Sequence, residues 1–274
     1  MNILILGSSG QIGSHLSKYL RNEGFNIIEF DIEKRKEQDL RIPGVLNDIL
    51  PNIDFVFFLA FDVGGSIYLN DYQNNYNFIS NNIKIMDNTF DSLKKYNTKF
   101  VFASSQMSDL INSSYGVLKN IGEKYTLSLD QGKIIKLWNV YGIESDPKKF
   151  HVISDFIFMA KRGLIKMKTC GEENRQFLYA GDCSECLTII MKSFDSISEK
   201  ILDISNFEWN SIYEVAEIIS ANFNNCPFIP GIIKDDLQRS YLRDPDKAIL
   251  KYWKPKTSLK KGIEIIIKEY EKNN

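Results

Sequence analysis

Tyr115 and Lys119 stand four residues apart, a spacing that puts both on one face of a helix. An ammonium beside a phenol favours the phenolate and lowers the tyrosine pKa. Such a tyrosine can take a proton from a sugar or alcohol hydroxyl as a general base, or return it as a general acid. Ten residues before Tyr115, an apolar run ends at Ala103-Ser104-Ser105. A serine hydroxyl at the C-terminal end of a strand can hydrogen-bond the same substrate oxygen, and open α/β sheets bind their ligands there. The Tyr-x-x-x-Lys spacing alone carries little weight, because chance supplies many. Only two histidines, His15 and His151, are present, which limits mechanisms that need imidazole.

These side chains need a scaffold and a redox partner, and the start of the chain offers both. An apolar strand over 2–6 runs into Gly7-Ser8-Ser9-Gly10-Gln11-Ile12-Gly13, and a helical pattern follows at once through Ile12, Leu16 and Leu20. The first glycine permits a tight turn and the second lets backbone approach a pyrophosphate. The third lets helix and strand pack closely, with the helix N-terminus aimed at the anion. A second apolar run, 25–30, ends at Asp31, eighteen residues after the last glycine. An acid there accepts hydrogen bonds from both adenosine ribose hydroxyls and repels a 2′-phosphate. That favours NAD, with NADP as the alternative because Lys34 and Arg35 lie close by.

Further strands are read over 54–59, 99–104, 133–138 and 200–204, with helices near 11–23, 43–50, 72–96 and 114–130. Continuous apolar strands alternating with helices predict a Rossmann-type, doubly wound parallel sheet covered on both faces, with right-handed crossovers. After Gly142 the alternation fades into Pro-marked turns and short helices. The expected organisation is therefore a dinucleotide-binding domain over 1–142, completed by the strand near 200–204, and a smaller substrate lobe over 143–274.

The chain has 274 residues and a net charge of −1, with acidic and basic residues mixed throughout. No basic block points to nucleic acid and no apolar run to a membrane span. The five-residue apolar start reads as a strand and not as a secretory signal, so a cytoplasmic location is expected. Cys183 and Cys186 have a metal-like spacing. Cys170 and Cys226 supply no second pair, so the two are read as one face of a helix over 182–193 and no metal is expected.

Together these motifs resemble the extended short-chain dehydrogenases/reductases, in particular the nucleotide-sugar epimerase, dehydratase and reductase group. The resemblance extends through Trp138-Asn139-Val140-Tyr141-Gly142 and through Gly171 with Arg175-Gln-Phe-Leu-Tyr-Ala-Gly-Asp182. It continues in Asp244-Pro-Asp-Lys247-Ala248, Trp253-Lys-Pro255 and Ser258-Leu259. It implies that Ser105 orients the sugar oxygen, that Tyr115 is the acid/base, and that Lys119 binds the nicotinamide ribose and tunes Tyr115. Asn139 and Arg175 would meet the diphosphate of a nucleotide-diphosphate sugar, and a fixed guanidinium suits a phosphate. The cofactor would further contact Gly7, Ser9, Gly10, Gln11, Ile12, Gly13 and Asp31, then Asp39-Leu40 at the adenine, Leu59-Ala60, and Asn82. Gly65, Gln106, His151 and Arg239 complete the substrate set, Lys234 being a second candidate for the role of Arg239.

The resemblance also has departures. Gln106-Met107 stands where dehydratases of this group carry an Asp-Glu pair, which argues against 4,6-dehydration. Val63-Gly64-Gly65 and His151 resemble the GDP-fucose synthase and GDP-mannose 3,5-epimerase branch. The thiol expected there is Met107 here, which counts against two-base epimerisation. The expected function is NAD-dependent epimerisation at C4 of a nucleotide sugar through a transient 4-keto sugar. The alternative is an NAD(P)H-dependent 4-keto-sugar reductase of deoxysugar or polysaccharide biosynthesis, and a third reading is a non-catalytic NAD(H)-binding regulator. A homodimer is expected through a four-helix bundle of helices 72–96 and 114–130. The first of these has apolar residues Phe78, Ile79, Ile83, Ile85 and Phe90, more than one sheet-facing side needs.

Overall fold

The computed structural model of the protein describes residues 1–233 and 243–272. β1 (Asn2–Leu6), α1 (Gln11–Asn22), β2 (Asn26–Phe30) and β3 (Phe55–Phe58) open the chain. α2 (Ser66–Tyr72), α3 (Tyr76–Tyr96), β4 (Lys99–Ser105), α4 (Ser114–Leu127) and β5 (Gly132–Leu137) follow. The remainder contains β6 (Asn139–Tyr141), α5 (Val152–Ala160), β7 (Ile165–Lys166), β8 (Asn174–Arg175), β9 (Phe177–Tyr179) and α6 (Ala180–Lys192). After these come β10 (Ile201–Ile204), β11 (Asn210–Ser211), α7 (Ile212–Asn222), β12 (Phe228–Ile229) and the helix Leu259–Lys272.

Six strands form a parallel sheet in the order β10-β5-β4-β3-β1-β2. The alternation of side chains across the sheet explains the unbroken apolar strands. Ile3, Ile5, Phe55, Phe57, Val101 and Ala103 enter one cluster with α1 and α6. Leu4, Leu6, Val56, Phe58, Phe100 and Phe102 face the other, with Phe90 of α3 and Leu118 of α4. Both faces are thus dry, and period-two polarity is absent because neither side meets water. α4 comes very close to β4: a β-carbon at Gly122 would stand 2.3 Å from Phe102 Cζ. A third cluster joins α5, α7 and the last helix around Phe177, Ile212 and Ile263.

The chain leaves β1 towards β2 on one side and towards β3 on the other. The switch point therefore lies at the tips of β1 and β3, where Gly7 has φ +84°. No described helix is long and apolar enough to cross a membrane.

Two helix expectations are corrected. Residues 43–50 form consecutive turns, ending in a short 3₁₀ helix at Leu50–Asn52. Pro43, Pro51 and Gly44 at φ +75° interrupt any α-helix there, and Leu46 and Leu50 satisfy the apolar pattern by packing inward from turns. The helix read over 72–96 begins at Tyr76, because a turn at Gln73–Asn75 separates α2 from α3. Cys183 and Cys186 lie in the buried side of α6, and burial pushes both thiols up.

Candidate active site

The C-terminal ends of the strands border one cleft of about 1390 Å³. Ligand pockets usually run to roughly 300–1,000 Å³, so this cleft has room for more than one small ligand. Gly7, Ser9, Gly10, Gln11, Ile12, Gly13, Asp31, Asp39, Leu40, Leu59 and Ala60 line one end. Ser105, Gln106, Tyr115 and Lys119 also line it, as do Gly65, Asn139, His151 and Arg175.

The glycine loop fits a dinucleotide. A β-carbon at Gly13 would lie 2.1 Å from the Gly7 carbonyl oxygen, so helix and loop touch only because it is absent. Gly10 caps α1 with no side chain on the helix N–H groups. The sequence thus leaves that end of the helix open to an anion. Asp31 Oδ2 accepts from the Ser9 backbone N–H at 2.8 Å, and Oδ1 accepts from that of Glu33 at 2.9 Å. The acid at the tip of β2 thereby also braces the loop. Gln11 belongs to the scaffold: its amide nitrogen reaches the Val140 carbonyl at 3.2 Å and its oxygen the Gly142 N–H at 3.0 Å.

Two cofactor-side residues have other engagements. Asp39 is clamped by Arg41, whose Nε donates to Oδ1 at 2.8 Å and whose Nη2 donates to Oδ2 at 2.7 Å. That guanidinium holds the Asp39 carboxyl below its ordinary range. Asn82 does not line the cleft. It is buried in α3, where it accepts from the Asp62 N–H at 2.7 Å and donates to the carbonyls of Asp62 and Phe78. Its position is that of an anchor for the loop after β3.

At the centre, the Ser105 hydroxyl bonds the Tyr115 phenol and accepts from the Met107 N–H at 3.1 Å. The Lys119 ammonium donates to the Ala103 carbonyl at 2.7 Å and lies 3.7 Å from the centroid of the Phe61 ring. Phe61 meets Tyr115 edge to face at 5.8 Å. Burial pushes Tyr115 up to about 12, opposed by the Ser105 bond. Burial pushes Lys119 down to about 7, opposed by the Glu123 carboxylate. The sequence reading had the lysine depressing the tyrosine. In the folded chain that effect is absent: burial dominates at Tyr115 with only the Ser105 bond against it, and both groups lean towards their neutral forms.

Towards the other end, Gln106 donates to Asn139 Oδ1 at 2.9 Å. Parallel pairing of β6 with β9 sets Asn139 opposite Phe177, two residues from Arg175. Arg175 is buried, and its Nη1 donates to the Asn174 carbonyl at 2.7 Å. His151 Nδ1 lies 2.6 Å from Glu144 Oε1, and its backbone N–H donates to Oε2 at 2.9 Å. Gly65 donates to the Lys149 carbonyl at 3.1 Å, and a β-carbon there would stand 2.2 Å from the Phe150 oxygen. Arg239 and Lys234 lie outside the described residues.

Sequence reasoning missed Phe61, Glu144 and Glu123. The first two are joined to the site only by the fold. Glu123 follows Lys119 by one helical turn, a spacing that was available as a signal.

The sequence profile of the NAD dependent epimerase/dehydratase family matches residues 3–205. A putative UDP-glucose 4-epimerase of Methanocaldococcus jannaschii is 27% identical over 315 residues, covering 99% of this chain and 99% of that protein. The UDP-glucose 4-epimerase of Thermotoga maritima, solved with UDP-glucose, superposes with a TM-score of 0.81 at 20% identity, covering 100% of this chain and 99% of that one. A GDP-6-OMe-4-keto-L-xylo-heptose reductase from C. jejuni gives a TM-score of 0.83 at 19% identity, covering 100% and 98%. The chain belongs to the NAD-dependent epimerase/dehydratase family, of the extended short-chain dehydrogenase/reductase type. It is an NAD-dependent enzyme of that nucleotide-sugar-modifying family.

Proposed function

We propose that the protein epimerises a nucleotide-diphosphate sugar at C4 through a transient 4-keto sugar. The observation that carries this reading is the single cleft that joins the glycine loop, the Ser105–Tyr115–Lys119 centre and the Asn139–Arg175 end. NAD, when bound, supplies the hydride acceptor and donor. Ser105 and Tyr115 hold the C4 oxygen between them, and Tyr115 takes its proton as the phenolate and returns it as the phenol. Lys119 binds the nicotinamide ribose beside that phenol. Residues 1–142 with β10 serve the cofactor, and 143–274 hold the nucleotide sugar. The relative named a putative UDP-glucose 4-epimerase supports the same chemistry.

Arg175 accounts for the diphosphate. It is buried, lines the cleft and lies two residues from the position paired with Asn139, and a planar guanidinium suits a phosphate. A thermal-shift panel of UDP, GDP, CDP and dTDP with NAD present tests this. One or more should stabilise the protein, and Arg175→Ala should weaken that binding by a charge-assisted pair's worth, roughly 1.5–3 kcal/mol. Stabilisation by none, or equal stabilisation of wild type and variant, rejects the substrate class. The same residues could serve a single reduction of a 4-keto sugar. Absorbance of the purified protein near the NADH band, before and after denaturation, separates the two: retained cofactor marks the epimerase and empty protein the reductase.

The proposal includes a cytoplasmic homodimer. α4 exposes Val117, Ile121 and Tyr125 at four-residue spacing, and α3 exposes Ile83 nearby in the same layer. Of the apolar series on α3, Phe78 and Phe90 face the sheet, and Ile79 and Ile85 pack against the same cluster. The outward stripe is therefore narrower than the sequence implied.

A further inference from the structure

Glu123 is 5% exposed, and no step of the proposed reaction uses it. It lies on α4 one turn beyond Lys119 and two beyond Tyr115. Its Oε1 accepts from Ser104 Oγ at 2.5 Å, and its Oε2 lies 3.4 Å from Lys136 Nζ of β5. Lys136 in turn meets Asp109 at 3.2 Å, and Arg243 pairs with Asp109 at 3.4 Å and with Asp203 at 2.8 Å. A chain of alternating charges thus runs from the tip of β4 through Lys136 and Asp109 to Arg243 and Asp203.

We propose that Glu123 is a positioning residue for the reaction: through Ser104 it holds the β4 tip against α4, and its carboxylate balances the buried Lys119 ammonium. This rests on the reading of Lys119 as the group that holds the cofactor ribose. From α4, Lys119 faces Tyr115 and Glu123. From β4 it meets the Ala103 carbonyl and the Phe102 ring, and from the β3 tip the Phe61 ring. Among the described residues, Glu123 is the one charge that shifts it, and it opposes the burial that brings Lys119 down to about 7. Two contacts on adjacent residues, Lys119 to Ala103 and Glu123 to Ser104, fasten helix to strand immediately before Ser105. The same carboxylate therefore sets both the charge of Lys119 and the place of Ser105.

The sign follows from which form binds. The ammonium donates to ribose hydroxyls, so cofactor affinity is complete below the Lys119 pKa and falls as pH rises through it. Removing the Glu123 charge lets the lysine lose its proton at lower pH, so the fall begins earlier.

The test is titration of NADH, by its fluorescence, into the full-length protein from pH 5.5 to 9, with folding checked by thermal melting. Glu123→Gln keeps an oxygen to accept from Ser104 and removes the charge. It should move the midpoint of the affinity loss down by about one unit or more, the scale of one nearby opposite charge. Glu123→Asp should restore it in part. Lys136→Met removes the cation that competes for Glu123 and should move the midpoint up, so the proposal stays testable if Glu123→Gln does not fold. Midpoints unmoved or shifted alike in the two charge variants overturn the role of Glu123. Lys119→Met reports on the underlying reading: a midpoint that persists in it shows that Lys119 is not the titrating group, and the proposal falls with that reading.

Discussion

A β-carbon on Gly7 would stand 2.7 Å from the backbone nitrogen of Ala60 and 2.8 Å from its α-carbon. The tips of β1 and β3 therefore touch through bare backbone at the point where the strand order reverses. Gly7 also has φ +84°, which an alanine adopts only with strain. Gly7→Ala should push the two tips apart and cost NAD affinity well before it unfolds the protein. Calorimetric titration of NAD alongside thermal melting checks this. Unchanged affinity would mean that the β1–β3 contact does not shape the cofactor site.

Tyr115→Phe should reduce turnover by about 10²–10⁴-fold, the usual scale for losing a general acid/base. The ring's edge-to-face contact with Phe61 survives the change, so folding and NAD binding should stay near wild type. Turnover within a few-fold of wild type on the nucleotide sugar selected by the thermal-shift panel would eliminate the phenol as the proton carrier.

Asp31→Ala should weaken NAD binding by roughly 1.5–3 kcal/mol and narrow the gap between NAD and NADP. Part of the loss will come from the loop itself, since the carboxylate also holds the Ser9 and Glu33 N–H groups. The ratio of the two affinities isolates the ribose effect. A ratio that does not change would leave Asp31 with the bracing role alone.

Sedimentation at micromolar concentration should give a dimer, and Ile121→Lys combined with Ile83→Lys should give a folded monomer. Both side chains are already exposed, so the changes cost the fold little. A monomeric wild type would refute the four-helix contact between copies, in which each copy offers the same surface.

The parts of this fold that could be read from sequence are those whose pattern is set by burial alone. β1, β3 and β4 stand out because each is apolar on both faces, and the glycine spacing marks the turn that follows β1. Residues 43–50 were misread because Leu46 and Leu50 mimic helical spacing while packing from turns. The strands β7, β8, β11 and β12 have two residues each, too few for any period to register. At the site, residue identity located Tyr115 and Lys119 on one helix face. It could not say that the ammonium would turn to the Ala103 carbonyl and the Phe61 ring. That outcome depends on the tips of β3 and β4, which lie far apart in sequence. The Asp39–Arg41 clamp was local, yet two charges two residues apart give no sign of which way they point.

The order of the sheet also bears on how the chain is made. β5 is complete at Leu137, but its outer neighbour β10 begins only at Ile201. A ribosome must therefore add some sixty further residues while the edge of β5 lies open, a row of unpaired N–H and C=O groups that invites pairing with another chain. β5 carries Lys133 and Lys136, both buried in the finished fold. Lys133 ends up donating to the carbonyls of Ile197 and Glu199, in the segment that leads into β10. Two ammonium groups on an open strand repel a second copy until that segment arrives, and Lys133 then helps to fasten the strand that closes the edge.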